Sequence, residues 1–268
     1  MTMKMLVTND DGVTAPGLLA LLNAVRKMDG VEATVLAPDH NWSASGHVKT
    51  MSRPLRIQGV RLADGSQAWS SDGAPSDCVA LAMMGALGIQ FEAVVSGINP
   101  NANVGLDVTY SGTVTAAMEG AINGVPGYAV SIDAPEHHQG PLEYDSAAEA
   151  AVKVIKQLHL LWDGNMPAPI WNINVPYRPE GDYEGVLFTR QGVRLYHDAL
   201  EKRIDPRGIP YYWIGGDPPS GLVEEGTDYG SIKQGYISVT PLRMDMTDHA
   251  QLERVRGLFT SDPTTKSG

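Results

Sequence analysis

Two adjacent carboxylates, Asp10 and Asp11, follow an apolar segment and precede Gly12. The segment has the pattern of a buried strand, and apolar residues at helical spacing begin shortly after the glycine. In an open α/β sheet, ligands bind in the crevice beyond the carboxyl ends of the strands. Two carboxylates in such a crevice repel each other unless a cation or a proton relieves them, and hard oxygen pairs suit Mg²⁺ or Mn²⁺. The first dozen residues therefore predict a metal-assisted reaction, with a plain Asn-Asp-Asp-Gly turn as the structural alternative.

Two later loops could supply further oxygen ligands. Ser43 lies with Ser45 and His47 in the polar loop after the second predicted strand, and a serine hydroxyl is a suitable hard ligand. Asn99 opens an asparagine-rich loop after the strand that ends near Ser96, and its side chain offers a neutral carbonyl oxygen and an amide donor. Serine populates many loops and asparagine satisfies left-handed turn positions, so neither loop is decisive alone.

The segment from Tyr110 to Ala117 is a small, hydroxyl-rich entry to a predicted helix. Ser111 is a natural N-cap there, which is the structural interpretation. A helix start also leaves free N–H groups at the positive end of the helix dipole, which bind phosphate, and Gly112 would let an oxyanion approach the backbone. Because the four polar clusters follow consecutive predicted strands, together they indicate a site more strongly than any one of them.

Several competing motifs are missing from the sequence. No G-x-G-x-x-G follows the first strand, and no G-x-x-x-x-G-K-[ST] or G-x-S-x-G occurs, which disfavours a Rossmann-type oxidoreductase, a P-loop enzyme and a serine hydrolase. The single cysteine, Cys78, excludes an internal disulfide and is expected to be a buried small hydrophobe. His137 and His138 form the only adjacent histidine pair, and we expect both to be solvated.

Composition narrows the class of protein. The chain has 268 residues, 43% of them hydrophobic, and a formal net charge of −11, which argues against binding to a nucleic-acid polymer. It contains no run of eighteen apolar residues, so no membrane span is expected. Its first residues lack the long apolar core of a signal peptide, so we expect a cytoplasmic location.

The residues that could do chemistry need a scaffold, and strands alternate with helices through the first part of the chain. This alternation predicts a three-layer, doubly wound, mostly parallel (Rossmann-like) α/β sheet. We expect one domain over 1–268, with a core over about 1–177. The predicted elements are strand 3–8, helix 15–28, strand 31–37, short extended pieces over 48–72 with a turn at Asp64-Gly65, helix 75–88, strand 91–96, helix 112–123, strand 128–132, helix 145–161 and strand 170–175.

Beyond Pro176 the pattern changes to short extended segments rich in Gly, Pro and Tyr, which predict a β-hairpin-rich extension over about 178–259. The aromatic run from Tyr211 to Trp213 could pack on a partner subunit or cover the core of its own chain. The predicted strands are 186–190, 193–200, 211–214 and 236–240, followed by a helix over 248–259 and a loose polar tail over 260–268.

Motifs spread over nearly the whole chain resemble the SurE family. In the first half they are Leu-Val-Thr-Asn-Asp-Asp-Gly-Val-x-Ala-Pro-Gly at 6–17, Ala-Pro-Asp-x-x-x-Ser-Ala-x-Gly-His at 37–47, Gly-x-Pro-x-Asp-Cys-Val at 73–79, Val-Ser-Gly-Ile-Asn at 95–99 and Tyr-Ser-Gly-Thr-Val-x-Ala-Ala-Met-Glu-Gly at 110–120. In the second half they are Phe-Thr-Arg-Gln at 188–191, Tyr-Tyr-Trp at 211–213 and Gly-Tyr-Ile-Ser-Val-Thr-Pro-Leu at 235–242.

The resemblance implies a divalent-metal-dependent phosphatase acting on nucleoside 5′- and 3′-monophosphates, and for some members on short polyphosphate. It also implies a homodimer or homotetramer that exchanges C-terminal segments, which favours the partner contact for Tyr211–Trp213. The implied metal ligands are Asp10, Asp11, Ser43 and Asn99. The implied phosphate-site residues are Asn99, Ser111, Gly112 and Thr113. The catalytic set expected from both is Asp10, Asp11, Asn99 and Ser111.

One position departs from the family pattern. The family loop usually reads Asn-x-Gly-x-Asn-x-Gly, whereas Asn101 replaces the first glycine in this chain. Asparagine tolerates the left-handed conformation better than other residues, so the substitution is compatible with the same turn.

The predicted reaction is phosphomonoester hydrolysis at one bound Mg²⁺ or Mn²⁺. Asp10 is the better candidate for orienting or deprotonating the attacking water, and direct attack by Asp10 to give an aspartyl-phosphate is the alternative. A non-catalytic nucleotide- or metal-sensing module on the same fold is the alternative from another functional class, because a fold alone does not determine function.

Overall fold

Within the described residues, nine strands form one mixed sheet and two more form a separate hairpin, in a computed structural model that describes residues 2–165, 167–256 and 258. The strands, numbered along the chain, are β1 (Met3–Thr8), β2 (Val31–Pro38), β3 (Ile57–Arg61), β4 (Gln67–Ser71), β5 (Ala93–Asn99), β6 (Gly127–Asp133), β7 (Ile170–Pro176), β8 (Val186–Phe188), β9 (Arg194–Ile204), β10 (Pro210–Gly221) and β11 (Ile237–Leu242). The helices are α1 (Pro16–Arg26), α2 (Pro75–Met83), α3 (Gly112–Ile122), α4 (Asp145–His159), α5 (Asp228–Lys233) and α6 (His249–Val255), with a 3₁₀ turn at Gly105–Thr109.

The main sheet has the strand order β3-β4-β2-β1-β5-β6-β7-β11-β8. The strands from β4 to β7 in this order are parallel, whereas β3 runs antiparallel to β4 and β11 runs antiparallel to β7. The chain starts at the centre with β1, builds one side through β2 to β4 and then returns to β5. The predicted doubly wound, mostly parallel α/β fold is confirmed.

Helices cover both faces of the sheet because its central strands are apolar on both sides. Met5 and Val7 of β1 pack into the cluster that α1 and α4 cover, and Leu6 points into the opposite cluster, which α2 and α3 cover. Successive side chains of a strand alternate between faces, so one short strand serves both layers. On α1, Leu18 and Leu22 are fully buried at the predicted helical spacing.

Helix α2 ends at Met83, five residues before the predicted end at 88. Gly85 adopts a left-handed conformation with φ of 89°. The Gly85 N–H donates to the Ala82 carbonyl and the Ala86 N–H donates to the Leu81 carbonyl. This pair of hydrogen bonds is a Schellman C-cap, which satisfies the last carbonyls and stops the helix. The other predicted elements of the core agree with the structure to within a few residues, and β3 and β4 are joined through the predicted turn at Gly65.

The second sheet is a long hairpin of β9 and β10, whose strands extend well past the predicted 193–200 and 211–214. Gly215, Pro218 and Pro219 are residue types that are typical of turns, and the strand accommodates them with a register shift between Asp217 and Ser220. Trp213 is 61% exposed, and the other apolar side chains of the hairpin are exposed with it. The aromatic run therefore does not cover the core of its own chain.

The C-terminal helix α6 is capped by Asp248, whose carboxylate accepts the Gln251 N–H at 2.9 Å. The last part of the predicted helix over 248–259 and the predicted loose tail over 260–268 lie largely outside the described residues. Among the residues that the structure describes, no helix is both long and apolar enough to cross a membrane.

Candidate active site

A cavity of about 270 Å³ opens at the carboxyl ends of the central strands. Four of the residues predicted to form the site line it: Asp10 after β1, Ser43 after β2, Asn99 at the end of β5 and Ser111 before α3. The folding of the sheet thus brings together side chains that are far apart in the sequence. The remaining lining residues are Ala44, Asn101, Ala102, Asn103, Asp107, Tyr110, Glu136, Arg194 and Pro219.

Asp10 is held in one orientation by the start of α3. It is only 3% exposed, and its Oδ1 accepts a hydrogen bond from the Thr113 hydroxyl at 2.6 Å while its Oδ2 accepts from the Thr113 N–H at 3.2 Å. Burial raises the pKa of Asp10, and the hydrogen bonds from Thr113 and from the Gly112 backbone act in the opposite direction. The carboxylate therefore occupies the positive end of the α3 dipole.

Gly112 permits this close approach between the helix and Asp10. A Cβ atom at position 112 would lie 2.7 Å from the Asp10 Cβ and 3.0 Å from its Oδ2. Any side chain there would displace the carboxylate. In this structure Gly112 and Thr113 contact Asp10, and Ser111 is the member of this segment that lines the cavity.

Asp11 is not among the residues that line the cavity, although it directly follows Asp10 in the chain, and it is less enclosed than Asp10. Burial, followed by the nearby Asp10 carboxylate, raises the pKa of Asp11 to about 7. The Asn41 side-chain amide donates to Asp11 Oδ1 at 3.3 Å. Two neighbouring carboxylates that both favour protonation are the electrostatic condition that a bound cation relieves.

The donor set fits a hard dication. Within the described part of the chain, no group of three or more His, Cys, Asp or Glu side chains could hold a metal ion. Coordination at this site would therefore combine the two carboxylates with the neutral oxygens of Ser43 and Asn99. All-oxygen ligands with positions left for water are the preference of Mg²⁺ and Mn²⁺.

The loop that carries Ser43 is fastened at several points. The Trp42 N–H donates to the Asp10 carbonyl at 2.7 Å, the Ser43 N–H donates to Asn41 Oδ1 at 2.7 Å, and the Gly46 N–H donates to the Tyr110 carbonyl at 2.8 Å. Ala44 adopts a left-handed conformation with φ of 57°, in a region that non-glycine residues rarely occupy. The loop is thus tied to both Asp10 and the segment before Ser111.

A buried charge cluster fixes the end of the same loop to α3. Glu119 is 3% exposed, and it accepts hydrogen bonds from His47 Nε2 at 3.0 Å and from Lys49 Nζ at 3.1 Å. The His47 hydrogen bond, together with Lys49, lowers the pKa of Glu119. His47 belongs to the predicted loop, and Glu119 lies within the motif at 110–120, but a lone glutamate on a helix indicates no particular role.

The asparagine-rich loop is supported from below by β7. The Asn103 carbonyl accepts hydrogen bonds from Asn172 Nδ2 at 2.7 Å and Asn174 Nδ2 at 3.1 Å, and the Asn103 amide donates to Ser131 Oγ at 2.8 Å. Asn99 donates its own amide to the Asn101 carbonyl at 2.5 Å, which leaves its Oδ1 available as a ligand. Since Ala44 is the only non-glycine residue with positive φ in the described ranges, the loop does not use a left-handed conformation at Asn101.

Two residues of the remaining wall, Asp107 and Arg194, belong to no predicted site, and contacts behind them hold this wall in place. Arg194 Nε donates to Asp107 Oδ2 at 2.8 Å, and the Tyr196 hydroxyl donates to Asp107 Oδ1 at 2.6 Å. Asp228 is fully buried, and its carboxylate accepts the Gly105 and Gly192 N–H groups at 2.8 and 2.7 Å. The base of the hairpin is thereby attached to the asparagine-rich loop. Asp107 lies four residues before Ser111, but no local pattern connects Arg194 to this site.

Two further expectations concern residues away from the cavity. Cys78 is fully buried, as expected, and burial raises the pKa of its thiol. His137 is exposed, while the neighbouring His138 ring is partly buried and contacts the Pro141 carbonyl at 3.1 Å.

Comparisons with known proteins agree on one family. The model of a family described as "Survival protein SurE" matches residues 5–198. A "5′-nucleotidase SurE" of Chloroflexus aggregans is 47% identical over 95% of this chain and 98% of its own, and one of Herpetosiphon aurantiacus is 44% identical over 94% and 97%. The crystal structure of a SurE protein from Aquifex aeolicus matches with a TM-score of 0.77 and 35% identity, covering 95% of this chain and 99% of that one.

Proposed function

The chain belongs to the SurE family, and on that premise we propose that it is a 5′-nucleotidase that hydrolyses nucleoside monophosphates to nucleoside and phosphate with the help of one divalent cation. We extend the proposal to nucleoside 3′-monophosphates and short polyphosphate as further substrates. The relatives that carry the nucleotidase name match nearly the full length of this chain, which supports the proposal.

The convergence of Asp10, Ser43, Asn99 and Ser111 on one cavity is the observation that carries the proposal. The cavity therefore combines oxygen atoms that can coordinate a cation with hydroxyl and amide groups that can donate hydrogen bonds to an anion. A phosphate ester suits this combination, because its oxygens carry negative charge and accept hydrogen bonds. The cavity opens where α/β sheets bind ligands, beyond the carboxyl ends of the strands.

Asp10, Asp11, Ser43 and Asn99 would hold the cation. When bound, the cation supplies positive charge to the phosphoryl oxygens and makes water a better nucleophile at neutral pH. Mg²⁺ and Mn²⁺ both fit this set of oxygen ligands.

The protein side chains orient the reactants. Ser111 Oγ accepts the Val114 N–H at 3.1 Å as the N-cap of α3, so its own O–H remains able to donate to a phosphate oxygen. Asn99 can present its Oδ1 or its amide to the same region. Contacts of Gly112 and Thr113 with phosphate, which the family resemblance implies, remain part of the proposal beside their contacts with Asp10.

Asp10 is our candidate for orienting the attacking water. A carboxylate oxygen accepts more than one hydrogen bond, so the contacts with Thr113 leave capacity for a water molecule. The water oxygen forms a bond to phosphorus, the ester P–O bond breaks, and the water proton is transferred to the leaving alkoxide by way of Asp10. Direct attack by Asp10 on phosphorus is the alternative, and ¹⁸O from labelled water appearing in the carboxylate under single turnover would establish it.

Phosphate release is the experiment that tests this function. We expect the purified protein to release phosphate from nucleoside 5′-monophosphates when Mn²⁺ or Mg²⁺ is present, and EDTA to stop the reaction. A panel of 3′-monophosphates and tripolyphosphate tests the extended substrate range. Nucleotide binding with no phosphate release under any of these metals would instead indicate a non-catalytic sensing module.

We also propose that the chain forms a homodimer or homotetramer through its C-terminal segments. The hairpin of β9 and β10 forms a sheet of its own and exposes apolar side chains along its length. Exposed apolar surfaces of this kind are typical of protein–protein contacts.

A further inference from the structure

We propose that Arg194 binds the nucleoside part of the substrate, in a leaving-group subsite at the base of the β9–β10 hairpin. This inference rests on the proposed nucleotidase function and adds a specificity-determining residue to it. The subsite consists of Arg194 with Asp107, Tyr110 and Pro219, which line the same cavity as the predicted catalytic residues.

The position of the phosphate group determines where the leaving group lies. If Asp10, Asn99 and Ser111 hold the phosphoryl group, the nucleoside must occupy the part of the cavity that other residues line. Besides Ala44 and the asparagine-rich loop, those residues come from the 3₁₀ turn at Gly105–Thr109 and the residue after it, from the loop after β6, from the start of β9 and from the end region of β10. A cavity of about 270 Å³ is close to the lower end of the roughly 300–1,000 Å³ typical of small-molecule sites, so it suits a mononucleotide better than a polymer.

Arg194 has the donors that a nucleoside requires. Its side chain is 16% exposed, and its one hydrogen bond to a described residue runs from Nε to Asp107. An arginine carries five N–H donors, so the terminal nitrogens of this one are available to a ligand. Base edges and ribose hydroxyls present the acceptors that such a planar fork binds.

The ion pair with Asp107 favours the nucleoside over the phosphate as the partner of Arg194. Asp107 balances the charge of the guanidinium, so Arg194 adds little net attraction for a dianion. The pair also fixes the plane of the guanidinium, whose carbon lies 5.4 Å from the centre of the Tyr229 ring. An oriented, charge-balanced donor suits a neutral polar group. Tyr110, 60% exposed beside the cavity, offers an aromatic face for a base to stack on.

The test compares Arg194→Gln with Tyr196→Phe on two substrates. Tyr196 bonds to the same Asp107 carboxylate as Arg194, so Tyr196→Phe loosens the same attachment of the hairpin without removing the proposed ligand contact. Adenosine 5′-monophosphate carries the nucleoside, and p-nitrophenyl phosphate does not. KM and kcat are measured for both substrates, and adenosine binding is measured by calorimetry on the metal-free protein.

We expect Arg194→Gln to raise KM for the nucleotide about 10- to 100-fold, the loss of one or two hydrogen bonds from a charged donor. Its KM and kcat for p-nitrophenyl phosphate should stay within about twofold of wild type, because this substrate has no nucleoside for Arg194 to bind. It should also weaken adenosine binding, and Tyr196→Phe should change none of these values. Arg194→Lys, which keeps the charge but loses the fork, should remain impaired on the nucleotide and provides a second folded variant.

If Arg194→Gln lost activity equally on both substrates, the inference would be overturned and Arg194 would be assigned to the phosphate. If Arg194→Gln and Tyr196→Phe had equal effects, it would be overturned and Arg194 would be assigned to the attachment of the hairpin. Unchanged nucleotide kinetics in Arg194→Gln would overturn it as well. Failure of the proposed function has a different result, since the wild-type protein would then hydrolyse neither substrate.

Discussion

At the scale of single residues, the site depends on side chains that serve two partners at once. Thr113 binds both oxygens of Asp10, and Ser111 caps α3 while its hydroxyl proton remains free for a ligand. Ser111 therefore combines two roles, a helix cap and a proposed phosphate contact. They differ in what a substitution would cost, because a cap affects folding and a phosphate contact affects turnover.

Ser111→Ala should lower kcat/KM for phosphomonoesters by about 10- to 100-fold, as expected for the loss of a hydrogen bond to a charged group worth about 1.5–3 kcal/mol. It should also cost about 1 kcal/mol of folding free energy through the lost cap. Ser111→Thr retains the hydroxyl and should keep most of both. Phosphate-release kinetics and urea unfolding check the two effects, and a destabilised Ser111→Ala of normal activity would reduce Ser111 to a helix cap.

Asp11 should make the metal-free protein less stable as the pH rises. Its folded pKa of about 7 lies above the ordinary value of 3.8 for an aspartate, so the folded state holds the proton more tightly than the unfolded state does. The stabilisation is complete below about pH 4 and is lost as the pH rises through about 7. Asp11→Asn removes this titration. The unfolding free energy of the wild type minus that of the variant should therefore fall from pH 4 to 8. A difference independent of pH would contradict the raised pKa.

At the scale of elements, α3 organises the site. Its first turn holds Asp10, its N-cap lines the cavity, and Glu119 on its last turn anchors the loop that carries Ser43. Three segments from different parts of the chain are therefore positioned by one helix of eleven residues. This explains the glycine that precedes Thr113, because a larger residue at position 112 would push the start of the helix away from Asp10.

Gly112→Ala should abolish most of the activity without unfolding the protein. The added Cβ would come within 2.7 Å of the Asp10 Cβ, so Asp10 must shift. A displacement of about 1 Å in a catalytic group can cost about a hundredfold in rate. Gly59→Ala is the matched control, since its Cβ would meet only the Trp69 ring at 3.6 Å. Both variants are assayed by phosphate release and circular dichroism, and a fully active Gly112→Ala would refute this packing argument.

The sequence predicted the parts of the site that follow strand ends. Asp10, Ser43, Asn99 and Ser111 could be placed near each other because parallel strands bring their carboxyl ends to one edge of the sheet. The contacts of Glu119, Asp228 and Arg194 could not be predicted, since the partners of these residues are distant in sequence and their positions depend on how the loops pack. The predicted end of α2 lies five residues beyond the observed one, because a glycine such as Gly85 ends a helix only where it adopts the left-handed conformation.

At the scale of the whole molecule, the β9–β10 hairpin stands out because its apolar side chains are exposed instead of buried in the core. The predicted strand over 211–214 is shorter than β10, because the Gly-Gly-Asp-Pro-Pro run that begins at Gly215 is typical of a turn. In the structure the strand continues through this run with a register shift. The hairpin exposes a series of large apolar side chains. They are Leu200, Ile204, Ile209, Tyr211, Tyr212, Trp213 and Ile214.

Charged substitutions on the hairpin should dissociate the proposed oligomer. We expect the wild-type protein to elute as a dimer or tetramer by size-exclusion chromatography with light scattering, and Trp213→Glu or Ile214→Glu to shift it to a smaller species. A buried charge without a partner is costly, whereas an exposed one is not. Leu161→Glu, at a position that is 74% exposed and lies two residues after α4, is the control and should leave the mass unchanged. A wild-type monomer would refute the proposed assembly.

Manganese binding, measured by electron paramagnetic resonance on the metal-stripped protein, tests most directly whether the four oxygen side chains form one cation site. The account predicts one Mn²⁺ bound per chain and a loss of affinity of more than about tenfold in Asp10→Asn and in Asp11→Asn, since each removes a charged ligand. Binding of Mn²⁺ to both variants with wild-type affinity, or no binding by the wild-type protein, would contradict it.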